Sequence, residues 1–430
     1  MKAAAFLYPW DVVGDPDAPA RLAGLGIRQV TLASAYHSTR ALTPRHPRHR
    51  VVTAAHAAVL YPPGNRWRGR ELQPYTAGEW APGDAFGAAA RALADAGIEV
   101  HSWVVLAHNT RMGEEHPENS VVNAYGDRYP WAPCIAGPAT RAYLVDLAAE
   151  AAVRPGTLGT ELESCGWYGL AHLHAHDKIG GVSLGEAGQY LMSLCFCAAC
   201  RQGYAGQGLD PDELAVAVRG ALEPLWRGAG EGEGKGQGWA AVEELLGPRR
   251  AAATRAWRAE SARTLQEAAV TAVRAAAAGA AAEGGAGVVG EGAAGAAVEG
   301  GAGATAQGSA GATAEGRPFQ VLLHADPVSY HCGANAGVDP AHVLAVADGV
   351  VVPCTGDPRL LTPFAGQGGD GAVLAANLTV VSGMGGSPGT LAADAARAAE
   401  LGATELRLYH AGLASDHDLA LVKGALSRTA

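Results

Sequence analysis

The chain has 430 residues, 48% of them hydrophobic, with a mean hydropathy of +0.04 and a formal charge of −10. These values describe a globular protein with a sizeable core, long enough for two or three average domains or for one large barrel with insertions. They exclude a nucleic-acid partner, which needs a basic face, and a membrane partner, because no window approaches the about 18 apolar residues of a spanning helix.

The N-terminal "MKAAAFLYPWD" holds one lysine and a short apolar run closed by Asp11, with no small-residue cleavage site. It reads as a first strand rather than a secretion signal. One pattern then recurs: an Ala/Leu-rich helix, a glycine, and a β-branched or apolar run, as in "RLAGLGIRQVTLASAYH" (21–37), "ALADAGIEVHSWVVLAHN" (92–109) and "AAELGATELRLYHAG" (398–412). Gly26, Gly97 and Gly402 stand where a helix end requires a left-handed residue. Helices alternating with short buried strands predict βαβ units and a parallel sheet.

Eight strands are predicted, at 3–9, 27–36, 98–107, 157–163, 319–325, 348–354, 373–381 and 404–410. An N-terminal strand with no long helix before it favours an α/β fold of the closed (β/α)8 (TIM) barrel type over a doubly wound sheet. The basic stretch "TPRHPRHR" (43–50) reads as a solvated loop, and residues 210–278 read as helices between strands four and five. Residues 279–316 are almost all Ala, Gly, Glu, Thr and Val, without an aromatic residue, which predicts a disordered insertion. The chain thus divides into a first barrel part (1–278), the insertion (279–316) and the rest of the barrel (317–430).

Active sites of such barrels lie at the C-terminal strand ends, and here those ends are polar and aromatic. Strand one ends in Tyr8, Trp10 and Asp11, strand two in Tyr36 and His37 with Arg40 beyond, strand three in His108 and Asn109. Strand four ends "TELESCGWY", strand five "LLHADP", strand six "VVPCTGD", strand eight "RLYHAG". Alternation puts Glu161 and Glu163 on one face and Leu162 on the other, so both carboxylates point into the barrel if Leu162 packs outward. Two inward acids suggest catalysis or, for the bland reading, an ion pair with a barrel arginine such as Arg407. Trp10, Trp103, Trp167, Tyr36 and Tyr168 would ring the rim; such faces suit a sugar, or else are packing. In "AHLHAHDK" (171–178), His172, His174 and His176 suggest substrate contacts or, alternatively, a catalytic metal.

The seven cysteines are odd in number, with three in "SLCFCAACR" (193–201), and fit a reducing, cytoplasmic compartment better than a disulfide framework. The run from Cys134 through "TRAYLVDLAAEA" and the strand-four glutamates to "CFCAACRQGY" resembles the middle of glycoside hydrolase family 42 β-galactosidases, over about residues 100–205. The resemblance implies a (β/α)8 glycosidase and one structural Zn2+ on Cys134, Cys195, Cys197 and Cys200. The chain departs from the family in three ways: Leu162 replaces the Asn before the acid/base glutamate, the stretch from Glu163 to Cys195 is longer than in the family, and "LAANLTVVSG" (374–383) has no acid for a strand-seven nucleophile.

The reading that joins these observations is a glycoside hydrolase acting on a small or oligomeric saccharide. Glu163 is its acid/base and Asp326 the second carboxylate, with Glu161 and Asp357 in reserve. His37, Arg40, His108, Asn109, Trp167, His172, His174 and His410, with Trp10 and Tyr36, would bind the sugar. Two rivals remain open: a barrel that binds a saccharide without cleaving it, and a metal-dependent isomerase or lyase using the His172–His176 loop.

Overall fold

The structure, a computed structural model, describes residues 1–170, 177–228, 238–286 and 317–429. Its centre is a closed barrel of eight parallel strands: β1 (Lys2–Leu7), β2 (Gln29–Tyr36), β3 (Glu99–Val105), β4 (Thr157–Glu163), β5 (Gln320–Asp326), β6 (Gly349–Pro353), β7 (Val373–Thr379) and β8 (Glu405–Tyr409). β1 pairs with β8 on one side and β2 on the other, which closes the ring. Every expected strand is present, and Gly26, Gly97 and Gly402 adopt φ of 86°, 72° and 99° between helix and strand. Among the described residues no helix is long and apolar enough to cross a membrane.

Between β4 and β5 come the helices Gly185–Met192, Ala198–Gly206, Pro211–Trp226, Trp239–Leu246 and Pro248–Ala286. The last runs past the expected start of the insertion at 279, because "GAAAEGGA" is alanine-rich enough to continue a helix already formed. The rest of the expected insertion, 287–316, lies outside the described residues. Two antiparallel hairpins were not foreseen. Thr39–Leu42 with Val51–Ala54 carries the basic loop, and Ser120–Val122 with Arg128–Pro133 follows β3.

Leu162 is fully buried in the layer between barrel and helices, so Glu161 and Glu163 do face inward. Inside the barrel the two halves differ. Leu322, Val351, Val373 and Ala375 form a small apolar cluster on the β5–β7 side. On the β3, β4 and β8 side stand His101, Glu161 and Arg407.

Glu161 and Arg407 are both 0% exposed, with Arg407 Nε 2.6 Å from Glu161 Oε1. Thr31 donates to the same oxygen at 3.0 Å, and Arg407 Nη1 reaches Glu405 at 2.7 Å. Burial pushes the Glu161 carboxyl up, but Arg407 and then His324 outweigh it and hold it at about 2. The ion pair foreseen as the alternative for Glu161 is therefore formed.

Removing one partner of a buried pair strands the other, at about 3–5 kcal/mol, whereas replacing both with apolar groups costs far less. Glu161→Leu is expected to lose that much in urea unfolding, with most of it recovered in Glu161→Leu/Arg407→Met. Simple addition of the two single losses would refute the coupling. Because the folded value lies below the unfolded value of about 4.3, this stabilisation is present above that pH and lost as pH falls toward 2.

Candidate active site

Glu163 closes β4 one inward step above Glu161. It is 2% exposed, and its Oε2 accepts from Trp103 Nε1 at 2.7 Å. His324, inward on β5, lies between the glutamates: Nδ1 is 3.9 Å from Glu163 Oε2 and Nε2 is 3.6 Å from Glu161 Oε2. Burial raises the Glu163 carboxyl above its ordinary value; His324 and Trp103 oppose this, and the charge of Glu161 adds to it.

The backbone is bent next to this carboxyl. Among the described residues only Ser164 (φ 55°) and His410 (φ 58°) are non-glycine with positive φ, and they stand at the mouth ends of β4 and β8. Such conformations cost energy and tend to persist where function holds them.

A belt of rings covers the barrel mouth. Tyr8 stacks on Trp10 at 4.5 Å and meets Tyr36 edge-on at 4.9 Å; Tyr36 stacks on His37 at 4.2 Å. His37 leads to His108 at 4.6 Å, which stacks on Tyr168 at 4.6 Å. His410 faces the Tyr8 hydroxyl at 3.4 Å, and burial, with His37, lowers its imidazole to about 3. Burial raises the phenols of Tyr8, Tyr36, Tyr168 and Tyr409, so these hydroxyls remain protonated donors.

Asp326 lies at the mouth end of β5. Its Oδ1 accepts from Val328 N at 2.8 Å, and its Oδ2 is 2.9 Å from His331 Nδ1. Burial lowers the His331 imidazole, but the hydrogen bond and charge of Asp326 outweigh it and hold it above its ordinary value. Since Leu323 pairs with Leu162, His324 is level with Glu163, and Asp326 stands two residues nearer the mouth. Strand spacing and rise then put the Glu163 and Asp326 backbones about 8 Å apart.

Other expected site residues are placed differently. Arg40 is exposed on the first hairpin. Asn109 is buried, its Oδ1 capping the helix Thr110–Glu115 through Met112 N at 3.0 Å. Trp167 is turned toward the helix layer, donating to the Arg258 carbonyl at 2.9 Å, and Trp103 lies wholly inside the barrel. Asp357 is paired with Arg359 at 2.8 Å. His172, His174 and His176 lie outside the described residues. Sequence reasoning missed His324 and His331; the parity of "LLHADP" puts His324 inward with Asp326, a signal available but unused.

Asp11 is half-buried behind Tyr8. Burial raises its carboxyl to about 7, and the Tyr8 N–H and Arg45 offset this only in part. The folded value exceeds the unfolded one of about 3.9, so its favourable contribution is full below that pH and lost as pH rises through about 7. Asp11→Asn should accordingly raise the melting temperature at pH 8 and leave it nearly unchanged at pH 4. The reverse order in a pH series of melting curves would overturn the assignment.

Beside the mouth, Cys134, Cys195, Cys197 and Cys200 bring their sulfurs within 4.8 Å of one another. Cys134 Sγ is 3.5 Å from Cys197 Sγ and 3.6 Å from Cys200 Sγ. A tetrahedral ion with bonds of about 2.3 Å sets its sulfurs about 3.8 Å apart, so the cluster fits a metal ion. The N–H groups of Val122 and Cys197 point at Cys195 Sγ, the outer support that metal-ligating side chains commonly have. Hydrogen bonds from its three neighbours push the Cys197 thiol down, while Cys134 and Cys200 are pushed up.

The barrel is similar to those of known glycosidases. It aligns with the catalytic domain of a β-amylase from Paenibacillus polymyxa at TM-score 0.54 and 10% identity, covering 100% of this chain and 99% of that one. It aligns with α-L-fucosidase isoenzyme 2 from Paenibacillus thiaminolyticus at 0.52 and 10% identity, and with a β-galactosidase from the psychrophilic Marinomonas ef1 at 0.51 and 9%. It covers 100% of this chain in both cases but only 49% and 60% of those chains. No family model and no curated protein matches the sequence. At 9–10% identity these likenesses show the fold, a (β/α)8 barrel.

Proposed function

We propose that the chain hydrolyses glycosidic bonds, with Glu163 as general acid. One observation carries this reading: two glutamates on one strand are driven in opposite directions, Glu161 down by Arg407 and Glu163 up by burial. The divergence leaves Glu161 to its ion pair and Glu163 as the inward carboxyl suited to hold a proton for donation. Glu163 would protonate the leaving oxygen, and Asp326, oriented by His331, would act on the opposite side. A backbone separation of about 8 Å lets the two carboxyls approach either the close spacing of retention or the wider spacing of inversion, depending on side-chain direction. Tyr8, Trp10, Tyr36, His37, His108 and His410 would contact the saccharide, with the basic hairpin of Arg40 at the rim.

If Glu163 is the acid, activity falls as pH rises through its raised value. Glu163→Gln should slow cleavage of natural glycosides by orders of magnitude and spare substrates with very good leaving groups, which need little protonation. Asp326→Asn should harm every substrate alike. Ranking leaving groups by pKa separates the two variants, and a uniform mild loss in Glu163→Gln would remove it from the acid role.

A second reading, a barrel that binds saccharides without cleaving them, is favoured by β7, whose inward Ala375, Asn377 and Thr379 include no acid. Wild-type protein that binds sugars but is inert on a panel of nitrophenyl glycosides would establish it. The isomerase or lyase reading rests on histidines outside the described residues.

The four cysteines, in this reading, hold one structural zinc. Metal analysis should find about one zinc per chain. Cys197→Ser/Cys200→Ser should lose both the metal and much of the stability; metal-free wild type with an unchanged melting curve would contradict this.

A further inference from the structure

Away from the barrel axis, one buried cation has no carboxylate to meet it among the described residues. Arg258, on the helix Pro248–Ala286, is 3% exposed. Its guanidinium lies 4.8 Å from the ring centre of Tyr190 and 5.5 Å from that of Trp167. Nη2 donates to the sulfur of Cys332, and among the described residues Nε and Nη1 have no hydrogen-bond partner.

Taking a guanidinium out of water is unfavourable unless an anion goes with it. Ring faces attract the cation but bring no charge. Tyr190 donates its hydroxyl to Thr254 at 2.9 Å, and burial raises both its phenol and that of Tyr204, so neither supplies the anion. His331 is turned to Asp326, and the Tyr330 hydroxyl to Glu186 at 3.5 Å. Arg255 is stacked on Trp239. The Cys332 sulfur is the group in contact that can carry negative charge.

The remaining cysteines are placed otherwise. Four form the metal-shaped cluster, and Cys165 and Cys354 are buried, which raises both thiols to about 12. Cys332 is half-buried, in the loop after β5, next to His331. Partial exposure beside a fixed cation is the setting of reactive cysteines.

We propose that Cys332, set against the buried guanidinium of Arg258, is the chain's site of modification by soft electrophiles and peroxide. With an alkyl iodide, sulfur forms a bond to carbon as the carbon–iodine bond breaks and iodide leaves. With hydrogen peroxide, sulfur attacks one oxygen, the O–O bond breaks, hydroxide leaves, and sulfur is oxidised to a sulfenic acid as peroxide is reduced. The proposal does not depend on glycosidase activity.

The test is timed alkylation of the full chain by iodoacetamide from pH 6 to pH 8, with quenching and peptide mapping by mass spectrometry. Cys332 should react first of the chain's cysteines across this range. Arg258→Met should slow the pH 6 reaction at least about tenfold, and Arg258→Lys by less. A pH 6 rate unchanged in Arg258→Met, or first labelling at another cysteine, would each overturn the proposal. If Arg258→Met does not fold, the order of labelling in the wild type decides alone.

Discussion

One guanidinium serves two carboxylates in the barrel core. Arg407 is committed to Glu161 through Nε at 2.6 Å and to Glu405 through Nη1, so no full cation is left for Glu163. What Glu163 has is the Trp103 N–H and His324 at 3.9 Å, weaker support in a site 2% exposed. In a desolvated interior that difference decides which carboxyl keeps its proton. The ion pair below thus does two things: it fixes the strand-four face, and by ionising Glu161 it adds a like charge that disfavours ionisation of Glu163.

The ring belt gives the same electrostatics their strength. Tyr8, Trp10, Tyr36, Trp103, His108 and Tyr168 are each at most 6% exposed, which keeps water from screening Glu163. Asp326 is different. It lies nearer solvent, with 15% of its side chain exposed, and is oriented by His331 rather than sealed under rings. The two carboxyls thus stand in unlike surroundings on neighbouring strands, one sealed and one nearer solvent.

The fold was legible because its signals are local. Glycine-ended helices followed by apolar or β-branched runs mark three of the strands, at Gly26, Gly97 and Gly402, and eight strands with an N-terminal start leave few topologies. The inward face of β4 followed from Leu162 alone. The cysteine cluster was legible through a resemblance and is assembled in space across 60 residues of chain. What escaped was contact between distant segments, His324 joining the two glutamates and Arg258 buried against Cys332, and one local turn, Asn109 capping the helix that follows it. Trp103 shows the limit well. An aromatic residue near a strand end reads as rim, yet parity and register set it opposite Glu161, inside the barrel.

The cysteine cluster is coupled to the site by geometry rather than chemistry. The hairpin Ser120–Val122/Arg128–Pro133 after β3 is stitched to the segment after β4 by Phe196 N to Val122 O at 2.6 Å, Tyr129 Oη to Met192 O at 2.8 Å and Trp131 Nε1 to Gly169 O at 2.8 Å. Cys134 leaves one side of that seam and Cys195, Cys197 and Cys200 the other, so an ion bound there closes it. Tyr168, next to Gly169, lies under the same seam and stacks on His108. The barrel strands do not pass through this region. Opening the cluster would therefore loosen the His108–Tyr168 part of the belt and admit water toward Glu163 before it disturbed the barrel itself.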